Sequence, residues 1–407
     1  MKRLALSAIS LGVLATAASA AHAQSAVTLY GTIEKNVNFF NEEGKNQWAT
    51  PAGTTLSGTT LSGAKPTGTS TANAKGSCWG LSGSEDVGSS VKAIFKLENS
   101  FNINNGYFSQ GSQEFGRQAY VGLQHDAYGT VTVGRQYVPD TDLLHKITAG
   151  SYLGSAFATP GDVDNYNNSI RVNNSIKYTS PMWSGLQFES LYAFGNQAGT
   201  LGGRRSWGAA LGRTNGPVSI AASYQHYSGG KITNGVRNIP DTTMPSTKIA
   251  TDSIFNSPIN SAYASASSLK VARVASQYTI GPVKIGTSYS NAQYMADSAS
   301  LFKQTQKYNT CNVSAIYQAT PALLTGIGYS YTKSSGNSSA KYNQVSLGAN
   351  YSLSKRTDVY LIGAWQKATG QQNSTGDKAQ ASIGSCGFSS TNSGAQGYVS
   401  LGLRHRF

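Results

Sequence analysis

Long apolar runs, clustered metal ligands and catalytic motifs are all missing from this 407-residue sequence. After the first two dozen residues no stretch approaches about 18 consecutive apolar residues, which excludes a membrane-spanning helix. The three cysteines, Cys78, Cys311 and Cys386, are too few for a disulfide framework and have no C-x-x-C spacing for a metal. In an oxidising compartment they allow one disulfide and leave one thiol over. Five histidines (His22, His125, His145, His226 and His405) are dispersed. There is no G-x-S-x-G, no H-E-x-x-H and no glycine-rich phosphate loop. Catalysis would need a triad gathered across distant strands, so neither an enzyme nor a cofactor is expected. The formal charge is +14, but its cations are scattered and form no basic run, which argues against nucleic acid as the partner.

What is present is glycine (45) and tyrosine (23) against little proline (11), a composition of many strands, tight turns and aromatic girdles. A mean hydropathy of −0.29 does not exclude a membrane location. Only helices and closed barrels satisfy every backbone group in lipid, and barrels carry a weak, alternating signal. Lys2 and Arg3, the apolar run from Leu4 to Ala18 and the ending Ala21-His22-Ala23 have the order of a secretory signal peptide. Residues 1–23 are therefore expected to be removed, leaving 24–407 as one domain. Without Lys2 and Arg3 the charge of +14 becomes +12.

Alternation is clearest in the last ten residues. Val399, Leu401, Leu403, His405 and Phe407 share one face, and Tyr398, Ser400, Gly402, Arg404 and Arg406 the other. A terminal aromatic ring suits a closing barrel strand at the membrane interface. The first such segment, 24–39, sets Val27, Leu29, Gly31, Ile33, Val37 and Phe39 against Thr28, Tyr30, Thr32, Glu34, Asn36 and Asn38. Segments around 79–82 and 91–101 follow, separated by the polar turn Ser84–Ser90. Further segments lie near 113–124, 130–137, 173–180, 185–195, 205–213, 218–228, 269–279, 283–295, 307–318, 322–333, 341–352, 358–368 and 395–407. Short turns alternate with long polar loops, the largest at 41–75, 139–172 and 229–268. The pattern predicts an all-β transmembrane antiparallel barrel of about 16 strands, enough to leave an aqueous lumen. A large soluble all-β protein would need a more continuous apolar interior.

Several blocks resemble Gram-negative general porins, with the nearest likeness to the trimeric beta-proteobacterial type. They are Val27-Thr-Leu-Tyr-Gly31, Trp79-Gly-Leu with Gly83-Ser-Glu-Asp86, Phe115-Gly-Arg-Gln-Ala-Tyr-Val-Gly-Leu123 and Thr130-Val-Thr-Val-Gly-Arg-Gln-Tyr137. Ala158-Thr-Pro-Gly-Asp-Val-Asp-Asn165, Arg171-Val-Asn-Asn-Ser175, Lys177-Tyr-Thr-Ser-Pro181 and the terminal Phe407 continue the series. The resemblance spans nearly the whole mature chain. It implies a homotrimer of 16-stranded barrels in the outer membrane, in contact with lipid and lipopolysaccharide. It implies insertion by the barrel-assembly machinery through the strand ending in Phe407. It also implies a third extracellular loop, near Pro139–Ile170, folded inward to narrow each pore.

The resemblance further implies wall arginines at Arg117 and Arg135, facing Asp162 and Asp164 on the inward loop. Alternation places Lys92 and Lys96 in the lumen, opposite Ala93, Phe95 and Leu97, and Glu34 on the polar face of the first strand, able to balance arginines. A lysine facing lipid near the midplane would cost about 2–4 kcal/mol. Arg135 shares parity with Val131 and Val133, so its lumen placement requires a bulge or an inward apolar patch. Asp162 and Asp164 are also ordinary turn residues. The chain departs from the family pattern at Cys78 and Ser82, where a cation is usual on either side of Trp-Gly-Leu. The expected function is passive diffusion of small hydrophilic solutes and ions with mild anion preference. The alternatives are a substrate-specific channel or a non-conducting structural or adhesive barrel.

Overall fold

The computed structural model describes residues 26–42, 45–49, 76–195, 205–230, 232–233, 236–237, 255, 257–373, 376–384 and 393–407. The expected signal peptide, most of the 41–75 loop and Cys386 lie outside the described residues. Sixteen antiparallel strands follow one another round a closed barrel. They are β1 (Ala26–Glu42), β2 (Cys78–Gly88), β3 (Val91–Ser100), β4 (Gln118–His125), β5 (Gly129–Tyr137), β6 (Arg171–Thr179), β7 (Leu186–Ala193) and β8 (Ser206–Asn215). Then come β9 (Val218–Ser228), β10 (Ser268–Ile280), β11 (Val283–Met295), β12 (Gln306–Gln318), β13 (Leu323–Ser335), β14 (Ala340–Ser352), β15 (Thr357–Gln372) and β16 (Ala395–Arg406).

Closure falls to β1. Its first part, Ala26–Thr32, pairs with Cys78–Ser84 of β2, and Thr32–Glu42 pairs with Gln396–Arg406 of β16. At the changeover Gly31 and Phe407 exchange backbone hydrogen bonds, each 3.1 Å. A Cβ at Gly31 would run into the Phe407 ring. The terminal aromatic thus seats over a glycine on the outer wall, and the last sheet edge is paired.

Period-two alternation sorts the wall as the sequence predicts. Val27, Leu29, Ile33 and Val37 are exposed on the outside, while Thr32, Glu34, Asn36 and Asn38 are buried on the inside. The seven connections at one rim span two to six residues, and those at the other are longer except for the four residues between β13 and β14. This is the layout of an outer-membrane barrel, with the short turns periplasmic.

Three local readings change. Strand β2 continues through Glu85 and Asp86, paired with Ala93 and Lys92, so the expected turn shrinks to Ser89 and Ser90. Residues 113–117 are not strand, because Phe115 has a left-handed φ of 53° and the chain turns there into β4. Lys45–Ala49, expected in a loop, pairs back along the end of β1. Its polar residues hide the strand from composition, but its backbone groups are paired all the same.

The third long loop, 138–170, runs inside the barrel through short helical turns at Pro139–Leu143 and Ala149–Leu153. Small residues on the inner wall make room for it. A Cβ at Gly326 would lie 2.6 Å from Leu153, one at Gly328 2.8 Å from Phe157, and one at Gly348 3.2 Å from Leu153. Leu143 and Leu144 pack on Ala210, Ala221 and Ala275. Two further segments, 257–267 and 379–384, also fold inward, which the sequence reading did not anticipate. Val163 and Ile170 of the third loop share one apolar cluster with Ile259, Tyr263, Tyr294, Tyr308, Tyr342 and Ala381.

Replacing Gly31 with valine is expected to destabilise the barrel by roughly 1–3 kcal/mol through overpacking on Phe407. Gly363→Val, where the nearest atom to a new Cβ is 3.6 Å away, should be near neutral. Urea unfolding in lipid vesicles compares the two, and equal losses would refute the packing role of Gly31.

Candidate functional site in the lumen

Between the inward loop and the wall lies a cavity of about 900 Å³. Strands β1–β7 form much of its wall, with Leu324, Asn350, Arg404 and Arg406 contributed from β13, β14 and β16. Six cations line it (Lys96, Arg117, Lys146, Lys177, Arg404 and Arg406) against three carboxylates, Glu98, Asp142 and Glu189.

The densest group centres on Glu98, whose parity on β3 points it inward beside Lys96. Arg117 Nε meets Glu98 Oε1 at 2.5 Å, and Lys96 Nζ lies 3.6 Å from Oε2. Tyr30 Oη donates to Oε2 at 2.7 Å and Tyr137 Oη to Oε1 at 2.8 Å. Two cations and two phenols around one carboxylate keep the group charged and fix the guanidinium plane. On the loop side, Lys177 Nζ reaches Asp142 at 2.5 Å. Arg404 and Arg406 both pair with the buried Asp358, each at 2.7 Å.

Arg117 therefore lies in the lumen, as does Lys96. Cys78 also lines the cavity. Ser82 faces inward opposite Lys96, and Lys92 continues the same face, exposed toward the short-turn rim. Cys311 is exposed on the outer face, so Cys78 and Cys311 cannot be joined. Glu34 sits opposite Arg404 in register and accepts from Tyr360 Oη at 2.7 Å. The carboxylate that pairs with Arg404 is Asp358 instead.

Two expectations are corrected. Arg135 stays on the Val131/Val133 face, opposite Ala119, and does not line the cavity. A bulge does follow Gly134, but it falls in the β5–β6 pairing and leaves Arg135 in phase. Its guanidinium donates to the Gly116 carbonyl at 2.8 Å and to Asn173 Oδ1 at 2.6 Å. Asp162 and Asp164 are buried within the loop and do not face the arginines. Asp162 accepts from the Asn167 N–H at 2.8 Å and from the Ser169 hydroxyl. Asp164 accepts from Thr159 at 2.6 Å and from Ser290 on the wall. Both carboxylates hold turns, as Asp does in ordinary loops. The loop acid that does face the lumen is Asp142.

Residues missed by the sequence reading fasten the loop. Asp140 and Arg273 form a buried ion pair, with Ser223 Oγ donating to Asp140 at 2.6 Å. Gln344 Nε2 donates to the carbonyls of Ala156 and Ala158 at 2.9 and 3.0 Å, and Ser346 Oγ to Ala156 O at 2.6 Å. Tyr294 Oη donates to Val163 O at 2.7 Å, and Tyr308 Oη ties Ile259 O of the second inward segment at 2.7 Å. Glu98 was findable from its parity with Lys96. Asp140 and Arg273 had no local signal.

Burial, and next the charge on Asp164, pushes Asp162 from its ordinary 3.8 up to about 7. The packed loop thus favours the protonated acid, whereas the unfolded chain returns it to the ordinary value. This contribution to stability is full below about 4 and is lost as the pH rises toward 7. Asp162→Asn, which imitates the protonated form, should raise the unfolding midpoint over the parent more at pH 8 than at pH 5. The difference should correspond to roughly 2 kcal/mol. Thermal melts in detergent at the two pH values test this, and an equal shift at both would refute it.

The family model for Gram-negative porins matches residues 8–371. The chain is 28% identical to an outer membrane porin protein of Bordetella pertussis, over all of both sequences. It is 32% identical to the outer membrane porin protein 32 of Delftia acidovorans over 53% of this chain and 58% of that one. Among solved structures, the anion-selective porin from Comamonas acidovorans aligns at a TM-score of 0.66 and 22% identity, covering 94% of this chain and all of that one. OmpT of Vibrio cholerae aligns at 0.62 and 15% identity, covering 94% and 98%. A closed sixteen-stranded wall, a loop folded into its lumen and a family match across most of the sequence agree: the chain belongs to the Gram-negative porin family and is a general diffusion channel of the outer membrane.

Proposed function

We propose that this channel passes small hydrophilic solutes and ions passively, with a mild preference for anions, and works as a homotrimer and not as an enzyme. The observation that carries the anion preference is the excess of lining cations, six against three carboxylates, two of which (Glu98 and Asp142) are themselves held by cations. In a narrow, low-dielectric bore such an excess biases ion entry more than it would on an open surface. Cys78 and Ser82, standing where the family pattern has cations, keep the preference mild. The Comamonas relative described as anion-selective supports the same sign.

The trimer reading is supported by the outer wall. On β8–β15 it carries Trp207, Tyr224, Tyr278, Tyr289, Tyr317, Tyr329, Tyr351 and Trp365 in exposed positions. The outward positions of β1–β5 hold no tyrosine, and Lys35 and Arg135 point outward there. An arginine facing lipid near the midplane would cost about 2–4 kcal/mol, so this side suits contact with other subunits. The proposal also has residues 1–23 leave as a signal peptide, lipopolysaccharide surround the barrel, and the Phe407 strand present the chain to the assembly machinery.

Planar bilayers with refolded protein under a salt gradient test the pore. Conductance steps in threes and an anion-biased reversal potential are expected. Glu98→Gln, which removes the carboxylate but keeps Arg117 and Lys96, should strengthen the anion bias, and Arg117→Gln should weaken it. A clear cation preference in the parent protein would overturn the reading.

A further inference from the structure

Four consecutive strands each carry an outward-facing lysine near the long-loop rim. Reading upward on the outer face, β13 runs Ile327, Tyr329, Tyr331, Lys333, and β15 runs Leu361, Gly363, Trp365, Lys367. Strands β12 and β14 bring Lys307 above Asn309 and Lys341 above Asn343. Lys333 and Lys341 are direct cross-strand partners. Lys307 is paired with Ser335 and Lys367 with Asn343, each two positions from the central pair.

Directly opposed residues have Cβ atoms about 4.5–5.5 Å apart, and like charges there repel. Among the described residues no carboxylate makes an ion pair with any of the four lysines. Beneath them Tyr329, Trp365 and Tyr289 are exposed, a girdle at the depth where hydrocarbon gives way to headgroups. The tyrosine hydroxyls reach up: Tyr329 Oη donates to Asn343 at 2.7 Å and Tyr289 Oη to Asn309 at 2.8 Å. The lysines therefore stand at the level of the outer-leaflet headgroups.

We propose that the outer wall of β12–β15 is a binding site for a phosphorylated lipid headgroup of the outer leaflet, its phosphate held between Lys333 and Lys341 with Lys307 and Lys367 flanking. The site rests on the outer-membrane reading, with the long loops outside, and deepens it by giving the surrounding lipid a defined seat. Ammonium groups bind phosphate as point charges with rotatable donors, which suits a headgroup arriving from the membrane plane. Acyl chains would run down the apolar outward columns below the girdle.

The test compares the full refolded protein with a Lys333→Gln/Lys341→Gln double variant, using bisphosphorylated lipid A as the probe. Native mass spectrometry from detergent should show lipid retention about tenfold or more weaker in the variant, since each lysine near a charged headgroup layer contributes measurably. Dephosphorylated lipid A should bind the parent no better than the variant. Without lipid the variant should melt at or above the parent temperature, because a like-charge pair is gone. With lipid the order should reverse. Equal retention by the two proteins would overturn the site, as would inorganic phosphate at the same concentration displacing the lipid or giving the same stabilisation. Loss of retention only where subunits also separate would assign the patch to contact between copies and overturn the lipid. Conductance recorded on the same samples keeps the readings apart: a silent barrel that retains lipid would refute the channel and leave the site standing.

Discussion

Every peptide N–H and C=O in the spanning wall must find a partner within the protein, because the lipid offers none. The rest of the molecule depends on that constraint. It requires a closed sheet, and closure here depends on β1 serving two neighbours in succession, β2 through Thr32 and β16 from Thr32 onward. The side-chain period of two then does the sorting. With no protein core available outside, the apolar set faces lipid, and the polar set lines the water-filled interior. The strand that closes the sheet also carries Arg404 and Arg406 inward and Val399, Leu401 and Leu403 outward.

Inside that wall the loop is held by chemistry of a different kind. Wall glycines accept Leu153 and Phe157, a buried ion pair fixes the start of the loop, and the Gln344 amide takes two carbonyls midway along it. Two more inward segments brace the loop's far end, where Tyr294 and Tyr308 give their hydroxyls to backbone carbonyls. An aromatic cluster thus fills one side of the barrel, and the open cavity is displaced toward β1–β7. The lumen charges act across a narrowed, off-centre gap.

Much of this was legible in the sequence, and what failed did so for physical reasons. Alternation placed Lys96, Cys78 and Ser82 on the lumen face correctly because it follows from backbone geometry alone. Parity likewise put Arg135 with Val131 and Val133, where the structure has it, while the family resemblance pointed the other way. Asp162 and Asp164 were legible as turn residues, and the pore-facing role inferred for them came from their position in a motif. Loop packing was beyond reach, because Asp140 meets Arg273 and Tyr294 meets Val163 across more than a hundred residues. Ser and Ala in the 257–267 and 379–384 segments gave composition no reason to predict an inward fold.

The Asp140–Arg273 pair bears on the order of assembly. Its partners lie 133 residues apart, with β6 to β9 between them. Until β10 joins the growing sheet, Asp140 lacks the cation that receives it and the loop has no finished wall to lie against, and contacts of such separation form late. A barrel that has closed but not yet seated this segment is a wide, unfiltered hole. For a protein placed in the cell's permeability barrier, docking the loop is therefore the step that turns an opening into a sieve.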